Sequence, residues 1–331
     1  MFKKKPLRIN SYLGYGTQTR LRAIGRALED ENLDFNGNTK TLKTLRNIYR
    51  QFESDEIPNI GIELKLSDKE PITATTDAEG YYHFDEEFNN AITVNESGWV
   101  SYEVSFHEKQ KKQITDNNIF NGEMLIPSPN AAYGIISDID DTILHTGVAS
   151  LLKWRVIANT FFKNFDRRLP LEGTVEFYQK LKYGKDTLPA NPIFYVSNSP
   201  WNLYDYLTAF LKKHNFPKGP ILLRDFRTPF DKTPKPTAPH KQSEILSLLN
   251  IYPNLKFILI GDSGEKDADI YTEIAKKYPD RILAIYLRSV NHKRREKRIM
   301  KIINSFTITP ILLVHSSQQA EVHARQQGFI N

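Results

Sequence analysis

Residues 133–142 read Tyr133-Gly134-Ile135-Ile136-Ser137-Asp138-Ile139-Asp140-Asp141-Thr142. An apolar run of strand length ends abruptly in acids, and Asp138 and Asp140 stand two apart where the chain must turn. Apolar runs recur at Ile193–Val196, Ile221–Leu223, Phe257–Ile260, Ile282–Leu287 and Ile311–Val314. Helical patterns lie between them, at Gly173–Lys182, Pro200–Lys213, Lys241–Leu249 and Ala268–Lys277. Strands alternating with helices predict a parallel sheet covered on both faces. In such folds ligands gather beyond the carboxyl ends of the strands.

Polar residues crowd those ends. Ser197-Asn198-Ser199-Pro200 follows the second run, His240-Lys241 opens a helix, and Gly261-Asp262-Ser263-Gly264-Glu265-Lys266-Asp267 follows the fourth. A lone Asp-x-Asp is ordinary turn chemistry; four such groups in order, each at a strand end or helix start, point to a catalytic crevice. Two close carboxylates repel unless something neutralises them. A divalent cation with Asp262 as third ligand does so, and hard oxygens in an incomplete protein cage suit Mg²⁺. Asp138 can then act as a nucleophile toward phosphorus, and Asp140 can give a proton to the leaving alkoxide and take one from water. Ser197, Asn198 and Lys241 are candidate phosphate binders, the lysine as a point charge. Ser199-Pro200 reads as a helix cap and first helical residue, which would aim backbone N–H groups at the phosphate. Asp141 fits a turn or cap better than catalysis, and His145 a surface or structural role. Arg224 and Arg288 follow strands and can face the crevice, with ion pairing to Asp225 the plainer reading for Arg224.

Taken together, Asp-x-Asp-x-Thr, a strand-end Ser, a helix-start Lys and Gly-Asp-x-x-x-x-Asp resemble the haloacid dehalogenase superfamily. The resemblance implies Asp138 as nucleophile and metal ligand, and Asp140 as acid/base with its backbone carbonyl on the metal. It also implies Ser197 and Lys241 on the phosphate, Asp262 on the metal, and Asp267 as a ligand or its support. With the second Asp present, the chain resembles the phosphatase branch of that superfamily. SDIDDTILHTG, FYVSNSPWNLY, His240-Lys241 and FILIGDSGEKDADIY with AIYLRSV resemble, more narrowly, the actin-patch-protein family of phosphatidate phosphatases, over roughly Tyr133 to Arg288. That implies release of phosphate from phosphatidic acid to give diacylglycerol. Another phosphomonoester substrate, or a non-catalytic lipid-binding or scaffold role, are the alternatives; the intact Asp138, Asp140, Lys241 and Asp262 argue against the last.

The expected fold is thus a Rossmann-like, haloacid-dehalogenase-type α/β domain over residues 131–331, with a helical insertion at about 146–190. Before it, residues 1–127 read as a small, mainly β, sandwich-like binding or positioning domain. Ile60, Ile62, Leu64 and Leu66 alternate, as do Val100, Tyr102, Val104 and Phe106. Leu21–Leu28 reads as another strand, Thr76–Gly80 as a hairpin loop before Tyr81–Phe84, and Leu42, Leu45, Ile48, Tyr49 and Phe52 as one helical face. Tyr81 and Tyr82 read as strand packing. Ile126–Asn130 reads as a linker.

Bulk properties narrow the rest. No cysteine occurs, which excludes disulfides, thiolate metal sites and cysteine nucleophiles. Neither a secretory leader nor an apolar run of about 20 residues is evident, so the expectation is a cytoplasmic protein. A net charge of +6 permits anionic partners, including peripheral contact with an anionic membrane; no nucleic-acid reader motif is present, and nucleic acid is not expected. Two segments carry apolar residues or helices beside bases. Leu151, Trp154, Ala158, Phe161 and Phe165 form a stripe rimmed by Lys153, Arg155, Lys163, Arg167 and Arg168, read as a helix packed on the domain or resting on anionic lipid. His292–Arg298 reads as a solvated helix face, with lipid attraction as the sharper alternative.

Overall fold

Each of the six apolar runs forms a strand of one parallel sheet. The computed structural model describes residues 5–29, 56–67, 69–107, 114–140, 142–143, 170–185, 189–224 and 238–331. The chain divides into two units, Met1–Pro127 and Ser128–Asn331. In the second, β9 (Gly134–Ser137), β10 (Ile193–Pro200), β11 (Ile221–Arg224), β12 (Phe257–Asp262), β13 (Ile282–Arg288) and β14 (Ile311–Val314) run in the order β11-β10-β9-β12-β13-β14. Every residue of β9 and β12 is buried, as a sheet covered on both faces demands. Ile135 lies beside Ile193 of β10 and Ile258 of β12.

This order decides where a site can form. From β9 the chain steps outward to β10 and β11, then crosses back to β12 on the other side of β9. The connections therefore part at the carboxyl end of β9, the switch point where open α/β sheets bind ligands. Asp138 stands there, its N–H donating to the Ile260 carbonyl at 2.8 Å.

Helices α1 (Thr174–Tyr183), α2 (Tyr204–Lys213), α3 (His240–Ile251), α4 (Asp267–Lys277), α5 (Lys293–Ser305) and α6 (Ser317–Gln326) cover the sheet. Their buried residues recur three to four apart, for example Phe177, Tyr178 and Leu181 of α1, or Ile270, Tyr271 and Ile274 of α4. Each such side chain contributes about 1.5–3 kcal/mol of burial. Tyr178 also fixes the strand end: its hydroxyl lies 2.6 Å from Ser137 Oγ, which donates to the Asp138 carbonyl at 2.7 Å. Helix α1 falls within the stretch expected as an insertion, yet it packs on the sheet. Thr174 meets Ser317 of α6 at 3.2 Å. Helix α6 had no clear sequence signal; Ser316 caps it, accepting from the Gln319 N–H at 3.4 Å.

One local reading is corrected. Ser199 and Pro200 do not start a helix. They extend β10, Pro200 pairing with Arg224 of β11 after a register shift, and a 3-10 turn at Trp201–Leu203 intervenes before α2. Ser199 is held in the strand by two bonds, its Oγ donating to Asp140 on the turn after β9 and its N–H to Ser197 Oγ within β10.

In the first unit, β1 (Leu7–Ser11), β2 (Gly14–Thr17), β3 (Arg20–Glu29), β4 (Gly61–Lys65), β5 (Ile72–Thr75), β6 (Tyr81–Glu87), β7 (Trp99–Phe106) and β8 (Phe120–Leu125) belong to one sheet, ordered β1-β3-β2-β8-β7-β4-β5 with β6 on β3. It is continuous, not the two separate sheets of a sandwich. The ten residues of β3 are long enough to serve β1, β2 and β6 together. Leu21, Ile62, Tyr82, Val104 and Phe106 share its core. Thr76–Gly80 is a tight turn held by Asp77, whose Oδ1 accepts from the Glu79 and Tyr81 N–H groups at 2.9 Å. It does not close a hairpin, because β5 pairs with β4 while β6 pairs with β3. Tyr81 and Tyr82 are buried in the strand.

The helix expected at Leu42–Phe52, the stripe Leu151–Phe165 with its basic rim, Asp141, His145 and Asp225 lie outside the described residues. Among the described residues no helix is long and apolar enough to cross a membrane.

Candidate active site

Four chain segments converge at the carboxyl ends of β9, β10 and β12. The turn after β9 supplies Asp138 and Asp140, β10 supplies Ser197, Asn198 and Ser199, α3 supplies Lys241, and the β12–α4 loop supplies Asp262, Glu265 and Asp267. Asp138, Ser197, Lys241, Asp262 and Asp267 are all at most 1% exposed.

Lys241 is the hub. Its Nζ lies 2.9 Å from Asp138 Oδ1, 2.8 Å from Asp267 Oδ1 and 2.9 Å from Glu265 Oε2. Burial opposes the ammonium charge, but these three acids together hold its pKa well above the ordinary lysine value. The carboxylates feel the reverse balance. Burial pushes Asp138 well above the usual range against the pull of Lys241, and raises Asp267 in the same way. Asp262 is pushed up to about 8 by burial and by the neighbouring Asp267.

Asp140 has hydrogen-bond partners of its own. Its Oδ2 accepts from Ser197 Oγ at 2.7 Å and from Ser199 Oγ at 3.1 Å. The Ser199 N–H donates in turn to Ser197 Oγ at 2.9 Å. Burial raises the Asp140 pKa, opposed by the Ser197 hydroxyl. The hydroxyl of Ser197, a residue expected on phosphate, donates here to Asp140. Asn198 Nδ2 donates to Glu265 Oε2 at 3.1 Å.

The residues present fit a hard divalent cation. One carboxylate oxygen each from Asp138, Asp262 and Asp267 can be chosen so that all lie within 4.8 Å of one another. Asp138 Oδ1 and Asp262 Oδ2 are buried with no hydrogen-bond partner among the described residues; Lys241 nears the former as an ion pair without hydrogen-bond alignment. The other Asp262 oxygen is occupied, accepting from the Gly264 N–H and, at 2.8 Å, from the Glu265 N–H. Around the one ammonium of Lys241 stand the carboxylates of Asp138, Asp262, Asp267 and Glu265, a surplus of acid that a divalent cation would offset. An all-oxygen donor set of this kind suits Mg²⁺. Asp140 does not join that carboxylate group; its expected contribution is a backbone carbonyl.

Two glycines make the geometry possible. A side chain at Gly261 would collide with Asp267 Oδ2 and come within 2.8 Å of the Tyr271 ring. One at Gly264 would meet Asp262 Oδ1 and Arg295 Nη1, each at 2.8 Å. Thr142 supports the nucleophile candidate, donating to Asp138 Oδ2 at 3.2 Å. Sequence reasoning missed the roles of Thr142 and Glu265. Their positions inside the Asp-x-Asp-x-Thr and Gly-Asp motifs were the only signal. Arg224 ends β11 half-buried, and Arg288 donates to Ser317 Oγ at 3.0 Å.

Residues 133–289 match the family described as phosphatidate phosphatase APP1, catalytic domain. This region of the chain is similar to that family. Phosphatidate phosphatase APP1 of Saccharomyces cerevisiae is 30% identical over 243 residues, covering 72% of this chain and 39% of that protein. An uncharacterized protein of Schizosaccharomyces pombe, C29B5.04c, is 31% identical over 216 residues, 65% of this chain and 34% of that one. The chain therefore spans less than two fifths of the length of these curated relatives. Both alignments are longer than the APP1 catalytic-domain segment, so the likeness extends beyond it. Among solved structures, Bifidobacterium dentium β-glucuronidase complexed with coumarin-3-O-glucuronide covers 94% of this chain and 60% of its own, at 8% identity and a TM-score of 0.26; this likeness carries no argument.

Proposed function

We propose that residues 131–331 form a haloacid-dehalogenase-type phosphatase, a phosphoric monoester hydrolase that converts phosphatidic acid to diacylglycerol and phosphate. Residues 1–127 serve it as a binding or positioning module. The observation that carries the reading is the pairing of two acid environments at one strand end: Asp138 in the buried charge cluster of Lys241, Asp262 and Asp267, and Asp140 in a cradle of two serine hydroxyls.

Asp138 attacks phosphorus, forming an acyl-phosphate bond as the bond to the glycerol oxygen breaks. Asp140, its pKa raised by burial, gives its proton to the departing alkoxide. Water then attacks phosphorus and surrenders a proton to Asp140 as the Asp138–phosphorus bond breaks, so both acids return to their starting states. Ser197 and Ser199 hold the Asp140 carboxyl in place through both steps. Lys241 offsets the charge of the phosphoryl oxygens, with Asn198 as a further donor. The carboxylates of Asp138, Asp262 and Asp267, with the Asp140 carbonyl, would hold Mg²⁺, which when bound neutralises charge on the transferring group.

The test is phosphate release from phosphatidic acid in detergent micelles, with and without Mg²⁺, alongside an aryl phosphate and the Asp138→Asn variant. Metal-dependent turnover of phosphatidate that the variant lacks is expected. Turnover of the aryl phosphate alone would keep the chemistry and reassign the substrate. No turnover of either by folded, metal-supplied protein would sink the enzymatic reading.

A further inference from the structure

Helix α5 is built with an outward face that nothing in the reaction uses. Of its thirteen residues only Ile299 is fully buried, with Arg295, Glu296, Ile302 and Ile303 half-buried on the same side. Lys293, Arg294, Lys297, Arg298 and Lys301 are exposed, at the spacing that places them together on the opposite face. Met300, 43% exposed, lies among them. A solvated helix face ordinarily mixes signs. Here the helix's one acid, Glu296, turns inward and accepts from Ser289 Oγ. Arg298 pairs with Asp269 of α4; among the described residues, no ion pair engages Lys293, Arg294, Lys297 or Lys301.

The helix is also tied to the candidate active site. It follows β13, whose last residue, Arg288, lies beside Asp262 in the sheet register. The Ser263 N–H donates to the Arg288 carbonyl at 2.8 Å, and the Val290 N–H to Ser263 Oγ at 3.1 Å. Arg295 packs against Gly264, inside the loop that carries Asp262 and Asp267. The start of the helix that carries the basic face is thereby joined to the loop that bears Asp262 and Asp267.

We propose that this face of α5 docks the protein on an anionic lipid bilayer, seating the Asp138 crevice at the headgroup level. The proposal rests on the reading of a lipid phosphomonoester as substrate. Charge complementarity selects the occupant: a row of unpaired bases with one exposed methionine matches a surface of negative headgroups over an apolar layer. Docking through α5 would then bring phosphorylated headgroups to Lys241 and Asp140.

The experiment is co-sedimentation of the full chain with phosphatidylcholine vesicles containing phosphatidate, or phosphatidylserine at equal surface charge. Each basic residue near such a surface contributes roughly a factor of five in binding. The double variant Lys297→Gln/Lys301→Gln is therefore expected to bind either vesicle roughly 25-fold more weakly, while turning over a soluble aryl phosphate at the wild-type rate. Binding should weaken as salt rises. Lys212→Gln/Lys213→Gln, which removes the same charge from the end of α2, should bind as wild type. Unchanged binding by the α5 variant, or an equal loss in the α2 variant, would overturn the assignment of the face. So would capture of an oligonucleotide by a protein that ignores vesicles. Absence of vesicle binding alongside retained aryl-phosphate turnover would remove the docking surface and leave the phosphatase chemistry standing; loss of turnover in the wild-type protein would instead count against the reading beneath it.

Discussion

Replacing Lys241 by methionine isolates the charge that holds the site together. Methionine keeps an unbranched stem of similar length in a position only 1% exposed, so packing is largely preserved while one cation disappears from among Asp138, Asp267 and Glu265. Removing one member of a buried ion pair costs about 3–5 kcal/mol, because the partner stays buried and uncompensated. In a unit of this size each kcal/mol moves the unfolding midpoint by about 2–4 °C. The second unit should therefore melt roughly 6–20 °C lower in chelator, measured by differential scanning calorimetry. Millimolar Mg²⁺ should recover part of that loss, since a divalent cation can take over the neutralisation. A midpoint within about 2 °C of wild type in chelator would refute the reasoning, for it would mean that the acids do not depend on the lysine charge.

The same cluster predicts stabilisation by metal: Mg²⁺ at a hundred times its dissociation constant adds about 2.7 kcal/mol, and Asp262→Asn should abolish most of the resulting calorimetric shift, an equal shift in the variant counting against Asp262 as a ligand. Burial lowers the His240 pKa from 6.5 to about 4. The unfolded chain therefore binds the proton more readily between those values, so this residue's contribution is intact above pH 6.5 and declines as pH falls toward 4, by roughly 3 kcal/mol in all. His240→Gln should flatten that part of the stability–pH curve, and an unaltered slope would show that the histidine is not the source. Glu265 Oε2 already sits against both Lys241 and Asn198, where a phosphate oxygen would compete with it. Glu265→Gln should tighten competitive inhibition by orthophosphate about five-fold, the effect of about 1 kcal/mol for a partly exposed pair; weaker inhibition would show that the glutamate does not compete for that place.

The second unit was legible because its strands are buried on both faces. Runs such as Phe257–Ile260 have no other stable use, and the acids stand where each run stops. What escaped was set by partners distant in sequence. Ser199-Pro200 has the composition of a helix start, but Ser199 Oγ is claimed by Asp140, 59 residues earlier, and the strand continues. Glu265 is unremarkable until Lys241 arrives from another helix. In the first unit, alternation located the strands but could not tell which would pair. Asp77 makes a proper turn, yet the β4–β5 pairing and the reach of β3 send the strands on either side of it to different neighbours. The outward bias of α5 was visible as a run of bases; its attachment to the Asp262 loop was not, because that depends on the β12–β13 register.

One backbone contact has consequences for how such a protein can be altered. Leu171 N–H donates to the Ile143 carbonyl at 3.3 Å, so the chain returns after residues 144–170 to nearly the point at which it left, one turn beyond Asp138. Everything between those two residues is an excursion whose ends are already stapled. Loop-closure entropy changes by only about 0.6 kcal/mol for each doubling of a flexible loop's length, so the closure itself sets little limit on the length of what is spliced between them. The carboxylates are anchored by Ser137, Tyr178 and the sheet, on the other side of the staple. Chimeras spliced between Ile143 and Leu171 can therefore be built on a fixed frame, since the contact that joins those two residues and the groups that anchor Asp138 are left unchanged.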